Sequence, residues 1–384
     1  MSFPFDFKPF EIPAEFDPLR QEVRAFLRDA ASEWTGWKIG QSWTAFNKEF
    51  SKEVGRRGWI GMTWPKQYGG HARSEIERYV VLEEMLAVGA PVGAHWIADR
   101  QSGPLLLRLG TQAQRERFLP GCARGELAFC IGLSEPDAGS DLASLRSKAS
   151  RVEHGWRLNG RKIWTTNAQD CDLMIGLFRS DPSAQKHEGL SQFLIDMHSS
   201  GIDVRPIRDL TGEAHFNEVT FDDVFVPDDM LVGIEGKGWS QATAELTFER
   251  SQPDRYMSAF PLFCALVDAV RDSGVADRLA SRRIGETYAE LVLLRQMSLS
   301  VAGRLAAGQS PSHEAVLLKD LGNTHEQGIP DLVRELLDVP ATIVRPDRLS
   351  ELQAILTEIS PMFSLRGGSR EILRGITAKG LGLR

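Results

Sequence analysis

The run RKIWTTNA, residues 161–168, ends an alternating strand-like stretch with a tryptophan, two threonines and an asparagine. Side chains two apart on a strand point to the same face, so Trp164 and Thr166 are expected to share one. A tryptophan face is a stacking surface for a flat aromatic ring, and a hydroxyl beside it can bond to that ring's edge. The same pair also suits a sheet core, with Trp164 as packing and Thr166 as a β-former. A second run, LSEPDAGSD at residues 133–141, uses Pro136, Ala138 and Gly139 to turn with little side-chain bulk. Backbone N–H groups in such a turn can approach a phosphate or a ring edge closely. Taken alone, it reads more readily as an ordinary strand-to-strand loop.

Three regions must position these residues. From about residue 17 to 125 the period is helical: DPLRQEVRAFLRDA and SEIERYVVLEEMLAVG space apolar residues three and four apart. GMTWPKQYGG, residues 61–70, interrupts them as a turn. Between 128 and 238 the period becomes two, and Asn159-Gly160 inside WRLNGRKIWTT predicts a hairpin turn, since both residues tolerate positive φ. LSQFLIDM and FNEVTFDDVFVP are further strands. Helical spacing returns through SQATAELTFER, AFPLFCALVDAVRDSG, ETYAELVLLRQMSLSVAGRLAAG, SHEAVLLKDLGNTHEQG and DLVRELLDV. The expected division is a helical domain at 1–127, a β domain at 128–238 and a helical domain at 239–384.

The 384 residues are enough for two or three domains, and 42% hydrophobic with 25% charged residues is ordinary for a globular chain. A net charge of −7 offers no basic footprint, which sets nucleic acid aside. Cys122, Cys130, Cys171 and Cys264 lack the paired spacing of a zinc site and are expected to be reduced. The opening MSFPFDFKPFEIPAEFD carries prolines and acids where a secretion signal needs an apolar core. No run reaches membrane-spanning length, so no membrane partner and a cytoplasmic location are expected.

Taken together and in order, LSEPDAGSD, NGRKIWTTNA (159–168), VTFDDVFVP (219–227) and the tail RGGSREILRGITAKGLGLR resemble the signature segments of the acyl-CoA dehydrogenases. GTQAQRERFLPGCARGE resembles that family's connector ahead of the β module. The resemblance implies an α+β fold with an N-terminal helical domain, a central β-barrel or sandwich and a C-terminal helical bundle. It further implies FAD as cofactor, an acyl-CoA substrate, an electron-transfer flavoprotein as acceptor, and a homo- or hetero-oligomer, dimer or tetramer. By resemblance, Leu133 and Ser134 meet the flavin's pyrimidine side, Gly139 is a cofactor contact, and Ser140 meets the pyrophosphate and also borders the substrate. Trp164 and Thr166 would then pack on the isoalloxazine near N5, the atom that receives the β-hydride. Ser369 and Glu371 fall on the nucleotide side. Ile131 stands where many relatives carry an aromatic residue.

Dehydrogenation of a thioester also needs a carboxylate to take the α-proton, in a dry site that makes it a stronger base. Many relatives carry it in a C-terminal EGT triplet; here the triplet is GGS, with Gly367 at the base position on the substrate side. A smaller group places it in the helix after the β module, just before an arginine. LTFERSQ matches that pattern, making Glu249 the expected base and Arg250 a coenzyme A contact. Glu245 lies one turn earlier on the same helix face, and an exposed Glu-Arg surface pair is the plain alternative. The family's Arg-Gln-Phe-Gly stretch and later glycine cluster, which reach a neighbour's FAD, are absent from VADRLASRRIGETYAE and LLDVPATIVRPDRLSEL. Two further readings stay open beside the dehydrogenase: a non-catalytic or FAD-sharing subunit of a heteromer, and a flavin monooxygenase on the same fold.

Overall fold

The computed structural model describes residues 5–250, 252–274, 278–337 and 347–383, with 244–249 described by backbone alone. The chain packs as two compact units, one of Met1–Trp43, Ser74–Pro91 and Thr247–Arg384, the other of Thr44–Arg73 and Val92–Leu246.

The second unit is built on strands β1 (Phe129–Gly132), β2 (Lys148–Val152), β3 (Gly155–Thr166), β4 (Leu173–Arg179), β5 (Leu190–Asp196), β6 (Ile202–Ile207), β7 (Phe216–Pro227) and β8 (Leu231–Val232). They form one sheet in the order β6-β7-β3-β2-β4-β5-β8, with β1 added parallel to β4. The neighbours of β7 and β5 are antiparallel, so the sheet is mixed. Nearly every residue of β4 and β5 is buried, which is why LMIGLF reads as a continuous apolar run. β6 alternates instead, with one face left to solvent. Trp156, Phe178, Phe193 and Phe221 fill the core through edge-to-face ring contacts.

Asn159-Gly160 does not turn the chain. β3 runs unbroken through both residues, and the hairpin falls earlier, at Glu153-His154, where Val152 pairs with Gly155 and His154 takes φ 59°. The local turn preference yields to a tertiary contact, because a Cβ at Gly160 would lie 2.2 Å from the Ser147 hydroxyl. The glycine is needed for close approach. Asn159 accepts a hydrogen bond on Oδ1 from the Asp223 N–H at 2.9 Å. Leu158 pairs with Val224 and Gly160 with Phe221, so β7 bulges there and Asp223 takes φ 52°.

The first unit is helical. Glu75–Ala87 starts with a capping box, in which Ser74 accepts from the Glu77 N–H and Glu77 accepts from the Ser74 N–H. Phe260–Asp272, Ser312–Leu337 and Arg348–Phe363 pack around Leu262, Leu266, Ile329, Val333, Leu352, Ile355 and Phe363. The two segments SHEAVLLKDLGNTHEQG and DLVRELLDV form a single helix that passes through Pro330. Burial of Ile329, Leu332 and Val333 around the proline outweighs the missing N–H. Gln353 Nε2 donates to the Pro330 carbonyl at 2.9 Å, tying this helix to Arg348–Phe363 at the proline. Among the described residues, no helix is long and apolar enough to cross a membrane.

Candidate functional site

In the second unit the loop after β1 is fastened to β3. The Ile163 N–H donates to the Ser134 carbonyl at 2.9 Å, and Lys162 Nζ donates to the Leu133 carbonyl at 3.2 Å. Leu133 and Ser134 are therefore brought to the residues that flank Trp164. The turn beyond them closes through paired backbone bonds between Glu135 and Ala138, both 3.0 Å. Gly139 and Ser140 follow, exposed, and a Cβ at Gly139 would meet nothing within 4 Å. The chain itself does not demand glycine there, whereas a molecule lying against the turn would.

Simple alternation fails at Trp164. Lys162 pairs with Val219 and Thr165 with Asn217, so β3 carries one extra residue, and Trp164 takes φ 61°. A bulky residue in that region is strained, and such strain clusters at functional positions. The ring is 57% exposed, which rules out the core-packing reading. It stands edge-on to Phe216 at 6.0 Å, and Phe216 is the register partner of Thr166. The bulge, rather than the two-residue period, brings the indole and Thr166 to a common neighbour.

These groups fit a flavin. Among the described residues, no protein acceptor meets the N–H of Leu133 or Ser134, and the hydroxyls of Ser134, Ser140 and Thr166 make no protein hydrogen bond. An exposed indole, two uncommitted backbone donors and three uncommitted hydroxyls suit a flat ring with polar edges.

Lys162 and Glu135 were not singled out from sequence. Lys162 is fully buried, with Nζ 2.8 Å from Glu135 Oε1 and 4.9 Å from the Phe178 ring centre. Burial lowers its pKa to about 8, partly offset by the Glu135 charge. Glu135 accepts from the Ser147 N–H at 2.9 Å and the Arg146 N–H at 2.6 Å. Burial opposes its ionisation, yet Lys162 and these donors hold its carboxyl below the usual range. A lysine at an inward-facing strand position, two residues before Trp164, was the available signal.

In the first unit Gly367 and Gly368 both take positive φ, 65° and 103°. Arg250, itself buried, donates from Nε to the Gly367 carbonyl at 3.2 Å. Lys319, fully buried on the 312–337 helix, donates to the Gly368 carbonyl at 2.8 Å. The turn thus lies between two cations, and Asp320 accepts from Arg370 Nε at 2.8 Å in the helix that follows. Ser369 is that helix's N-cap residue, and Glu371 lies exposed in its first turn. The backbone N–H and the Ser369 hydroxyl hold the Glu371 carboxyl below its usual range. Glu249 ends the helix Gly238–Glu249; its side chain, that of Glu245 and residues 338–346 lie outside the described residues.

Residues 13–126 match the acyl-CoA dehydrogenase N-terminal domain, and residues 130–224 match the middle domain. The acyl-CoA dehydrogenase IpdE1 of Mycobacterium tuberculosis is 31% identical over 95% of this chain and 97% of its own. A longer acyl-CoA dehydrogenase of the same organism is 35% identical over 84% of this chain, which spans 44% of that protein. Among solved structures, the Tcur3481-Tcur3483 steroid ACAD aligns with a TM-score of 0.88 at 28% identity, covering 97% of this chain and 98% of its own. The ChsE4-ChsE5 complex from Mycobacterium tuberculosis aligns with a TM-score of 0.85 at 26% identity, covering 98% of this chain and 100% of its own. With both domain matches and a full-length relative in agreement with the flavin-suited loop and bulge, the chain belongs to the acyl-CoA dehydrogenase family, FAD-dependent oxidoreductases acting on CH–CH bonds.

Proposed function

We propose that this chain dehydrogenates an acyl-CoA thioester between its α and β carbons, with the Glu249 carboxylate as the base that takes the α-proton. The carrying observation is the Arg250–Gly367 contact. Position 367, where many relatives hold the base, has no side chain, and the residue next to Glu249 is fastened to that same turn. A carboxylate at 249 can then replace one at 367. Bound FAD supplies the hydride acceptor. Trp164 offers its indole face to the ring, Thr166 and Ser134 offer hydroxyls to its edges, and the N–H groups of Leu133 and Ser134 orient it. Ser140 serves the pyrophosphate, Ser369 and Glu371 the nucleotide side, and Arg250 holds the turn beside the coenzyme A moiety.

A glycine at 367 also leaves space for a bulky acyl group, and the similar Tcur3481-Tcur3483 protein is described as a steroid ACAD. We therefore place ring-bearing acyl-CoA thioesters ahead of short linear ones as substrates, and an electron-transfer flavoprotein as acceptor. A heteromer with a related subunit is favoured by the likeness to the ChsE4-ChsE5 complex and by the missing Arg-Gln-Phe-Gly stretch. The test is anaerobic titration of the flavin-loaded protein with a panel of acyl-CoA thioesters. Bleaching of the flavin absorbance by a thioester, lost in Glu249→Gln with flavin still bound, is the expected result. Undiminished bleaching in Glu249→Gln would overturn the choice of base, and bleaching only by a nicotinamide donor would move the chain to oxygenase chemistry.

A further inference from the structure

The burial of Lys162 needs a reason. An ammonium removed from water on a sheet strand is costly, and an apolar residue would fill the place between Phe178 and the loop without that cost. Retention of a charge in such a place points to a requirement for its hydrogen bonds. Those bonds have one destination: Nζ reaches the Leu133 carbonyl and Glu135 Oε1, and the Glu135 carboxylate reaches the N–H groups of Arg146 and Ser147. One cation therefore clamps the loop at its entry, residue 133, and through Glu135 at its exit, residues 146 and 147. Between these points lie Ser134, Gly139 and Ser140.

We propose that Lys162, acting with Glu135, is a positioning residue for the flavin: it fixes the Leu133–Ser134 peptide so that its uncommitted N–H, on Ser134, meets the ring's polar edge. Lys162 is completely buried, so it acts on the cofactor through the loop and without touching it. The Leu133 carbonyl is taken by Nζ, which sets the peptide plane that carries the Ser134 N–H, and the Ser134 carbonyl is held by the Ile163 N–H, so this donor is aimed before the cofactor arrives. A preset donor loses less freedom on binding, which appears as affinity. It also holds its distance from the ring, which appears in the flavin's spectrum and potential. The inference rests on FAD as cofactor and is independent of which carboxylate is the base.

The experiment compares wild-type protein with Lys162→Met, which keeps the stem and removes the charge, and with Glu135→Gln. Each is stripped of flavin and titrated with FAD, and binding is read from flavin fluorescence. The visible absorption bands and reduction potential of the reloaded protein are then recorded. The expected result is at least a tenfold rise in the FAD dissociation constant for Lys162→Met, with displaced absorption bands, in protein whose circular dichroism matches wild type. In the double variant Lys162→Met/Glu135→Gln, which buries no lone charge, melting temperature should recover while FAD affinity stays low; a clamp that served stability alone would restore both. FAD affinity within twofold of wild type and unchanged bands would overturn the proposal. Should Lys162→Met not fold, the same two outcomes are read on the isosteric Glu135→Gln.

Discussion

Arg250 Nε lies 3.2 Å from the Gly367 carbonyl, so the end of the Gly238–Glu249 helix is joined to a turn more than a hundred residues later. The proposed base position, 249, and the position that resemblance gives many relatives, 367, are thereby one arginine apart. A base transplanted from one to the other is expected to work in part. Glu249→Gln should lower turnover by about 10²-fold or more, the usual worth of a positioned base. Adding Gly367→Glu should return at least part of it. A side chain at φ 65° carries a penalty, about 1–2 kcal/mol for a left-handed residue, so the double variant should melt several degrees lower. Turnover no higher in the double variant than in Glu249→Gln would break the spatial argument.

Trp164 separates function from stability. It is mostly exposed, and its φ of 61° is unfavourable for a tryptophan but free for glycine. Trp164→Gly loses the edge-on contact with Phe216, worth about 1 kcal/mol, and regains a similar amount from relief of strain. The melting temperature of the flavin-free protein should therefore stay within a few degrees, while FAD affinity falls tenfold or more. A large loss of stability in the flavin-free form would mean that the indole is structural after all.

Gly160 carries the opposite expectation. A methyl there would sit 2.2 Å from the Ser147 hydroxyl and 2.7 Å from the Ser147 Cα. Gly160→Ala should destabilise the second unit by about 2–3 kcal/mol, since backbone must move. Ser147→Ala should fail to rescue it, because the Cβ and Cα of residue 147 remain in the way. Rescue, read as recovery of the melting temperature in the double variant, would place the clash on the hydroxyl alone.

Gly160 also marks where local sequence ceases to be informative. The helix, strand, helix order was legible because period and burial coincide over long runs, as in DPLRQEVRAFLRDA of the first helix and FNEVTFDDVFVP of β7. Asn-Gly was misread because its turn preference is worth less than a close approach to Ser147, a residue brought near only by pairing of β2 with β3. The bulge at Trp164 depends on β7 and leaves no trace in RKIWTTNA itself. Site residues followed the same rule. Ser134, Trp164 and Gly367 were singled out through ordered motifs, whereas Lys162 and Lys319 were not. A lysine in isolation reads as a solvated side chain, and one partner of Lys319, the Gly368 carbonyl, lies 49 residues away.

His95 supplies a pH prediction. It is almost fully buried, 2.8 Å through Nδ1 from the Ser51 hydroxyl, and burial lowers its pKa to about 4 against a small opposing pull from Asp99. The folded chain therefore keeps the ring neutral where the unfolded chain, with an ordinary value near 6.5, takes up a proton. Stability from this group is complete above about pH 6.5 and drains away as pH falls toward 4, at up to ~1.4 kcal/mol per pH unit. From pH 7 to pH 5 the loss from His95 alone is about 2 kcal/mol. His95→Gln, unable to titrate, should be less stable at pH 7 but should lose visibly less on acidification, read as melting temperature against pH for both proteins in the same buffers. Parallel curves for the two proteins would show that the imidazole is not the group that titrates.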